Sequence, residues 1–382
     1  MPQSRISYNV NGANVPNLEV LTKHLVKLQP RWLLIMDNVE LAWALADKLK
    51  NTQVIHRNWA LTQGDENVYG RLSPEQWLAA RQDEAQHGIW LYTANEAGVN
   101  PAWDIALMNL IVSRGLKNVK LVLANPSVGT PDISFWSRPE MKEWFRLLHE
   151  HRDQFVLGLH EYFAGIAPSG FVGGYPDGSW SDGRTNLHPN YEDRKNWPTD
   201  ATTIGMTWHT GRLQVVNQAA KNFGYMAPRI VITEHGADDL ADMHGWLMKF
   251  PPSYTRGNIR GWKTLQFLWE RLLPGRSIQL AYLENIIYLD KALYSRYPNV
   301  EGQLLYTWTS NRGQWGDFDL SETTEFLVGL EQYAGYVAPP PIENPPPTPP
   351  PTTTITVTKA EIEDVQAILD QAMKKLDALK SR

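Results

Sequence analysis

The chain has 382 residues, of which 42% are hydrophobic and 20% charged, and its formal net charge is −5. This size fits one large domain, or a barrel with an appendage. The absence of cysteine excludes disulfides and cysteine-based metal sites or catalysis. No basic block indicates nucleic acid, and no apolar run approaches the roughly 18 residues of a membrane span. The first residues lack the apolar core of a secretory signal, so we expect a soluble protein that is cytoplasmic, released by lysis or part of a particle.

Short apolar runs alternate with segments of helical spacing up to about residue 337. The predicted strands are residues 5–10, 32–36, 53–58, 88–96, 119–124, 155–162, 229–234 and 303–308. The predicted helices are residues 17–28, 39–49, one beginning with a capping box at Ser73, 101–114, 138–151, 210–223, 262–273, 280–297 and 321–333. This alternation predicts a parallel α/β fold of eight units, the (β/α)8 or TIM barrel. The rival open sheet usually has a Gly-rich phosphate loop after its first strand, and none is present.

Two further segments stand out in chain order. Residues 163–203 are rich in Gly, Asp, Ser and aromatics, and a loop of this length in a compact fold is usually functional. Its aromatic side chains could form sugar subsites or a self-packed lid: Phe171, Tyr175, Trp180, Tyr191 and Trp197. The same two readings, sugar stacking and core packing, apply to the 16 Trp and 15 Tyr of the whole chain.

The C-terminal region has a different composition from the barrel domain of residues 1–337. Residues 338–357 contain three triple-proline runs, which predict a semi-rigid linker in polyproline II geometry. Residues 358–382 begin with a capping box and carry apolar residues in steps of three and four, as in a coiled-coil seam. We expect this amphipathic helix to form a homo-oligomer or to bind a partner. The alternative is an amphipathic helix that packs back on the barrel.

Two glutamates occupy the ends of apolar strands far apart in the sequence. Glu96 follows Asn95 at the end of the fourth predicted strand, and Glu234 ends the seventh. A carboxylate at the end of an apolar strand is costly to bury without a partner or a task. A (β/α)8 barrel gathers its strand ends at one face, and glycoside hydrolysis needs a pair of carboxyl groups there. The alternative for each is an ion pair at the barrel rim.

These motifs occur in an order that resembles the clan A glycoside hydrolases, which are retaining (β/α)8-barrel enzymes. The motifs are Asn-Glu on strand four, His160-x-Tyr162 on strand six, Thr-Glu-x-Gly on strand seven and Trp308 on strand eight. The resemblance covers residues 1 to about 337. Alanine and glycine follow Glu96 where the family usually has proline, which alters the loop but not the chemistry.

The resemblance implies a role for each matching position. Glu96 would be the acid/base and Glu234 the nucleophile, with Asn95 on the sugar 2-hydroxyl. Trp308 would be the floor under the sugar in the −1 position. The remaining matching positions would contact substrate or nucleophile: His160, Tyr162 and Arg57, which family members usually carry one strand earlier. Among the aromatics of the long loop, Trp180 is our candidate for substrate binding, independently of the resemblance. Proximity to an ionised Glu234 is expected to raise the pKa of Glu96.

Other polar residues are expected to have no part in the chemistry. Strand alternation turns Glu161 away from its neighbours His160 and Tyr162. Asp238 and Asp239 are expected to fix a loop or cap a helix. The histidines at 209, 235 and 244 have no spacing typical of metal ligands, so we expect no metal and no cofactor.

The sequence therefore favours a retaining hydrolase of a β-linked oligo- or polysaccharide, with no membrane or nucleic-acid partner. Two alternatives remain open: an inactive barrel that binds carbohydrate, and an assembly protein whose working part is the C-terminal helix.

Overall fold

The structure is a computed structural model of the chain. It describes residues 4–59, 68–127, 130–163, 212–237, 261–265, 275, 277–292, 294, 297–309 and 316–336. Residues 338–382 lie outside the described part, so the linker, the terminal helix and the domain boundaries stay predictions.

The described residues contain eight parallel strands that pair in chain order and close into a barrel, β8 pairing with β1. They are β1 (Ile6–Asn11), β2 (Trp32–Met36), β3 (Gln53–Arg57), β4 (Trp90–Tyr92), β5 (Lys120–Ala124), β6 (Phe155–Phe163), β7 (Ile230–Ala237) and β8 (Val300–Trp308). The predicted (β/α)8 barrel is confirmed.

Helices follow the strands and cover the outside of the barrel. In the described part of the chain they are α1 (Leu18–Leu28), α2 (Val39–Lys48), α3 (Val68–Arg71), α4 (Pro74–Arg81), α5 (Pro101–Ser113), α6 (Met141–Glu150), α7 (Arg212–Asn222), α8 (Ile278–Ala292) and α9 (Thr324–Tyr336). The predicted capping box at Ser73 is present. Residues Trp262–Leu265 form a 3-10 turn where a longer helix was expected, and the rest of that segment lies outside the described residues. None of the helices described is long and apolar enough to cross a membrane.

Two apolar layers hold the barrel together. The inner layer fills the barrel with side chains from seven strands: Trp32, Leu34, Ile55, Trp90, Tyr92, Val122, Val156, Val231 and Leu304. The outer layer packs the other strand faces against the helices. Full burial of each large apolar side chain contributes about 1.5–3 kcal/mol, so this packing dominates the stability.

The amino-terminal end of the barrel is closed by aromatic rings and an ion pair. Arg229 donates to both carboxylate oxygens of Glu301 at 2.8 and 2.7 Å. Its guanidinium carbon lies 5.7 Å from the ring centroid of Trp32 and 5.3 Å from that of Trp90. The polar side chains that could act on a ligand are therefore concentrated at the opposite end, where the strands have their carboxyl termini.

Candidate active site

The carboxyl ends of four strands bring together most of the residues predicted to form the site. Arg57 ends β3, Glu96 follows β4, His160 and Tyr162 lie on β6, and Glu234 lies on β7. One oxygen of Glu96, one oxygen of Glu234 and a ring nitrogen of His160 all lie within 4.8 Å of one another. The pairing of distant strand-end glutamates that the sequence indicated is therefore found in the barrel mouth.

A break in strand register turns Glu234 into the barrel. Ile232 pairs with Leu159 and Glu234 pairs with His160, so Thr233 is an extra residue in β7. A bulge of this kind re-aims the side chains that follow it. As a result Glu234 lies on the inward face beside His160, although strict alternation from the outward-facing Ile232 would turn it to the other face.

Glu234 is buried and accepts a hydrogen bond at each oxygen. Arg57 Nη1 donates to Oε1 at 2.9 Å, and the Tyr162 hydroxyl donates to Oε2 at 2.8 Å. The guanidinium of Arg57 lies between two aromatic rings, 5.6 Å from the centroid of Trp59 and 5.4 Å from that of Tyr92. Hydrogen bonds from a cation and from a hydroxyl group suit a buried carboxylate that acts in its ionised form.

Glu96 differs from Glu234 in both backbone and exposure. Its φ of 52° lies in the left-handed region, which is uncommon for a residue with a side chain and is often found at functional sites. The Glu96 backbone N–H donates to the carbonyl of Asn125 at 3.1 Å. The side chain is 42% exposed, and its Oε1 lies 3.1 Å from Nδ1 of His160. One glutamate is thus enclosed by donors while the other is open to a ligand.

The pKa of Glu96 is lowered, and this corrects the expectation that Glu234 would raise it. The hydrogen bond with His160 is the main cause, followed by burial acting the other way and by the charges of His160, Arg57 and Arg212. The expected repulsion from Glu234 does not decide the shift, and the Glu234 carboxylate is itself paired with Arg57 at 2.9 Å.

Behind the two glutamates, Tyr92 connects the end of β4 to β6. Its hydroxyl donates to Oδ1 of Asn95 at 2.6 Å and lies 2.9 Å from Nε2 of His160. His160 is fully buried, so its ring orientation is fixed by Tyr92 on one side and the carboxylates on the other. No sequence pattern indicates Tyr92 as a site residue, because an aromatic residue in an apolar strand is the usual core pattern.

Trp308 does not lie in the barrel mouth, which corrects its expected role as the floor under a sugar. Asn9 pairs with Tyr306 and Val10 with Trp308, so Thr307 is an extra residue that reverses the alternation of β8. Trp308 is fully buried on the outer face, 5.5 Å from the ring of Tyr8, and its indole N–H donates to the carbonyl of Pro16 at 3.0 Å.

The aromatic residue that β8 directs toward the site is Tyr306. Its ring packs edge-on against Phe318 and Tyr162, at 5.4 and 6.4 Å between centroids. Tyr162 in turn donates to Glu234, so Tyr306 is one residue removed from the candidate nucleophile. The bulge at Thr307 determines that Tyr306 faces the site and Trp308 does not, and no residue type in β8 indicates that bulge.

Arg212 at the start of α7 is a second residue that the sequence did not single out. It donates to the carbonyls of Pro126, Ser127 and Thr130 after β5, and to that of His160 on β6. Burial lowers its pKa to about 10, so it stays charged at neutral pH. This cation fixes the backbone of His160 from outside the barrel.

Two of the residues expected to have no part in the chemistry, Glu161 and His235, lie in the described part of the chain. Glu161 faces outward and accepts a hydrogen bond from the hydroxyl of Tyr294 at 2.7 Å. His235 Nδ1 contacts the carbonyl of Glu161, and burial lowers the pKa of His235 to about 4, which keeps it neutral. Other predicted positions lie outside the described residues: Trp180, His209, Asp238, Asp239 and His244.

The triangle of Glu96, His160 and Glu234 is small enough to hold a metal ion. However, Arg57 and Tyr162 already donate to the two oxygens of Glu234. A metal cation there would be repelled by the fixed charge of Arg57, whose Nη1 lies 2.9 Å from Oε1 of Glu234. These donors fit an ionised carboxylate better than a metal ligand.

No protein-family model matches the sequence, and no curated protein matches it. Solved structures do match. A β-1,3-glucanase and pollen allergen of Cryptomeria japonica is 16% identical, with a TM-score of 0.35 over 62% of this chain and 75% of that one. A glycoside hydrolase family 30 subfamily 8 xylanase of Clostridium acetobutylicum is 9% identical, with a TM-score of 0.41 over 88% of this chain and 73% of that one. A β-glucosidase of Exiguobacterium marinum is 12% identical, with a TM-score of 0.34 over 87% of this chain and 96% of that one.

With TM-scores below 0.5, the barrel assignment rests on the strand pairing of this chain itself.

Proposed function

We propose that this chain is a retaining glycoside hydrolase of a β-linked glycan, with Glu234 as nucleophile and Glu96 as acid/base. The observation that carries the proposal is the approach of the two carboxyl groups, whose nearest oxygens lie within 4.8 Å. Retaining enzymes hold these groups about 5–5.5 Å apart, and inverting enzymes about 6.5–9.5 Å apart to admit a water. The spacing therefore favours a covalent double displacement.

The surroundings of the two glutamates match the two roles. Glu234 must attack the anomeric carbon as a carboxylate, and Arg57 and Tyr162 stabilise that form. Glu96 must reach the glycosidic oxygen, and its side chain is 42% exposed. It donates a proton as the leaving group departs and takes one from the water that releases the glycosyl group.

Two neighbours are suited to bind the sugar in the −1 position. The carboxamide oxygen of Asn95 accepts from Tyr92, so its NH2 group is the part that can donate to a 2-hydroxyl. Tyr306 takes the place proposed at first for Trp308, because it packs beside Tyr162 on the side of the nucleophile.

The experiment uses variants of the two glutamates and aryl β-glycosides with good and poor leaving groups. Glu234→Ala should abolish turnover of every substrate. Glu96→Ala should largely spare the substrates with good leaving groups, and azide should restore its turnover and give a β-glycosyl azide. A fluoro-sugar inactivator should label Glu234. Glu40→Ala is the control, since Glu40 is an exposed residue of α2. An α-configured azide product, or a label on Glu161, would contradict the roles.

The lowered pKa of Glu96 is the observation that favours a second candidate, a barrel that binds carbohydrate without turnover. A group that is ionised at neutral pH is a poor general acid by itself. For such a barrel, Glu96→Gln and Glu234→Gln should leave glycan affinity roughly intact in calorimetry. The wild type should then hydrolyse no member of a broad β-glycoside panel.

A further inference from the structure

His160 bridges the two glutamates of the site through one ring nitrogen. Its Nδ1 lies 3.1 Å from Glu96 Oε1 and 3.4 Å from Glu234 Oε2. Its Nε2 lies 2.9 Å from the hydroxyl of Tyr92, and the ring is fully buried. Both nitrogens therefore have fixed partners, and those partners restrict where protons can be.

The proton at Nε2 follows from Tyr92. A carboxamide oxygen can only accept, so the single hydroxyl proton of Tyr92 is the one that points to Asn95 Oδ1, 2.6 Å away. The hydroxyl oxygen must then accept from His160, which places a proton on Nε2.

The proton at Nδ1 follows from the carboxylates. An ionised carboxylate can only accept, so a hydrogen bond between Nδ1 and Glu96 Oε1 needs a proton on one of those two atoms. With Nε2 already protonated, the pair then contains one proton more than a neutral imidazole beside an ionised Glu96. The proton is either on an imidazolium or on the carboxyl group, and these two states have the same total charge.

We infer that Glu96 and His160 hold this proton in common and that it is the proton delivered to the leaving group. The inference rests on the proposed hydrolase function. His160 is then a positioning residue that acts through Glu96. The carboxyl group of Glu96 prefers to be ionised, whereas the reaction needs a proton at that place. A proton shared with His160 meets both conditions.

The charged and titratable groups around the pair come from four strands and one helix. They are Arg57 on β3, Tyr92 on β4, Tyr162 on β6, Glu234 on β7 and Arg212 on α7, which holds the carbonyl of His160. Glu234 attracts the proton to the pair, while Arg57 and Arg212 oppose it. Outside the pair, Glu234 Oε2 lies 3.4 Å from Nδ1, whereas Arg57 donates to the other oxygen of Glu234, Oε1.

The proton balance through the reaction is complete. When the glycosidic bond breaks, the proton passes from the pair to the departing oxygen, and Glu234 forms an ester with the anomeric carbon. Glu96 is left ionised, and His160 keeps only the Nε2 proton. In the second half, water gives one proton to the pair and its hydroxyl to the anomeric carbon. The bond to Glu234 breaks, its electron pair returns to the carboxylate, and the starting state is restored.

His160→Gln is the first test, because glutamine can still hydrogen-bond to Glu96 but cannot store a proton. With an aryl glycoside of poor leaving group, the basic limb of the kcat/KM profile should move to lower pH by about one unit or more. A substrate with a good leaving group should show no such shift. Tyr92→Phe should move the limb in the same direction by less. His87→Gln, on a surface histidine that is 38% exposed, is the control. An unmoved basic limb in His160→Gln would overturn the inference.

A second readout does not need turnover and so separates this inference from the proposed function. Nitrogen-15 spectra of the histidine rings, assigned with His160→Gln, should show that Nε2 of His160 carries a proton, as its contact with the Tyr92 hydroxyl requires. The signal of Nδ1 should change in Glu96→Gln, because that variant has no carboxyl group to share a proton with this nitrogen. A neutral His160 that carries its one proton on Nδ1 and none on Nε2 would refute the shared proton, whether or not any glycoside is cleaved.

Discussion

Asn125 occupies the space that a side chain at Gly158 would need. A Cβ atom built on Gly158 would lie 1.7 Å from Asn125 Oδ1. The same oxygen accepts from Thr233 Oγ1 at 3.0 Å, and Asn125 Nδ2 donates to the carbonyl of Ala94 at 2.9 Å. Ala94 and Thr233 stand just before the segments that carry the two candidate catalytic glutamates. One buried carboxamide at the end of β5 therefore sets the position of both, and it fits only because β6 has a glycine beside it.

We expect Gly158→Ala to destabilise the barrel and to disturb the site together. The added methyl group would displace Asn125 and break its contacts to β4 and β7, at a cost of about 1–3 kcal/mol for overpacking. Urea unfolding measures the loss. Gly335→Ala in α9 is the control, because nothing lies within 4 Å of a Cβ at that position. Equal stability of the two variants would show that Asn125 can move without cost.

The buried carboxyl group of Asp104 is expected to make the stability of the barrel depend on pH. It is fully buried in α5 and accepts hydrogen bonds from Tyr69 at 3.2 Å and from Trp144 at 3.1 Å, yet burial raises its pKa to about 7. The folded state thus holds this proton more tightly than the unfolded chain, whose aspartate has a pKa near 4. Its contribution to stability is full below about pH 4 and is lost as the pH rises to about 7.

Asp104→Asn should remove this contribution to the pH dependence of the free energy of unfolding, which is up to about 1.4 kcal/mol per pH unit. Above pH 7 the variant should therefore be more stable relative to the wild type than it is at low pH. Urea midpoints at several pH values between about 4 and 8 measure the difference. Asp153→Asn, at an exposed aspartate before β6, is the control. A constant difference between Asp104→Asn and wild type over that range would contradict a raised pKa.

The sequence predicted the barrel well because each strand has a recognisable pattern of neighbouring residues. Residues 230–232, for example, are a run of β-branched residues that is followed by polar ones. Eight strands of this kind, each followed by a helical segment, predict a sheet that closes into a barrel. Strand alternation also predicted correctly that Glu161 faces away from His160 and Tyr162. These properties depend on neighbours in the chain, which the sequence displays directly.

The parts that could not be predicted depend on bulges and on contacts between distant strands. The extra residue Thr307 exchanges the faces of Tyr306 and Trp308, and its residue type gives no signal for this. The lowered pKa of Glu96 depends on a ring nitrogen of His160, 64 residues away in sequence. The electrostatics of the site, and the places of Tyr92, Tyr306 and Arg212 in it, therefore depend on the three-dimensional structure, whereas Glu96, Glu234, His160 and Tyr162 were indicated by the sequence.

The C-terminal region gives a prediction that rests on the sequence alone. Deleting residues 338–382 should leave the melting temperature unchanged and reduce the size of the assembly, because the apolar seam needs a partner to be buried. Light scattering and thermal unfolding measure the two effects. Leu369→Asp, in the chain of residues 1–382 without the deletion, should reproduce the smaller assembly. An unchanged mass in both proteins would exclude self-association, and a large loss of thermal stability would instead support packing on the barrel.

The last prediction concerns Trp59, which follows β3 at the mouth of the barrel. Its side chain is among the large apolar groups that stay exposed, at 43%, and its ring lies beside Arg57, which contacts Glu234. Its backbone N–H donates to Asp37 Oδ1 at 2.7 Å, and this hydrogen bond holds the backbone from which the ring extends. We expect it to stack on the sugar next to the one that reacts. Trp59→Ala should lower kcat/KM for an oligosaccharide by about 2–12-fold, as expected for about 0.5–1.5 kcal/mol of aromatic contact. Trp59→Phe should retain most of the activity, and neither change should affect an aryl monoglycoside, which has no second sugar. An equal loss on both substrates would show instead that Trp59 acts by supporting Arg57.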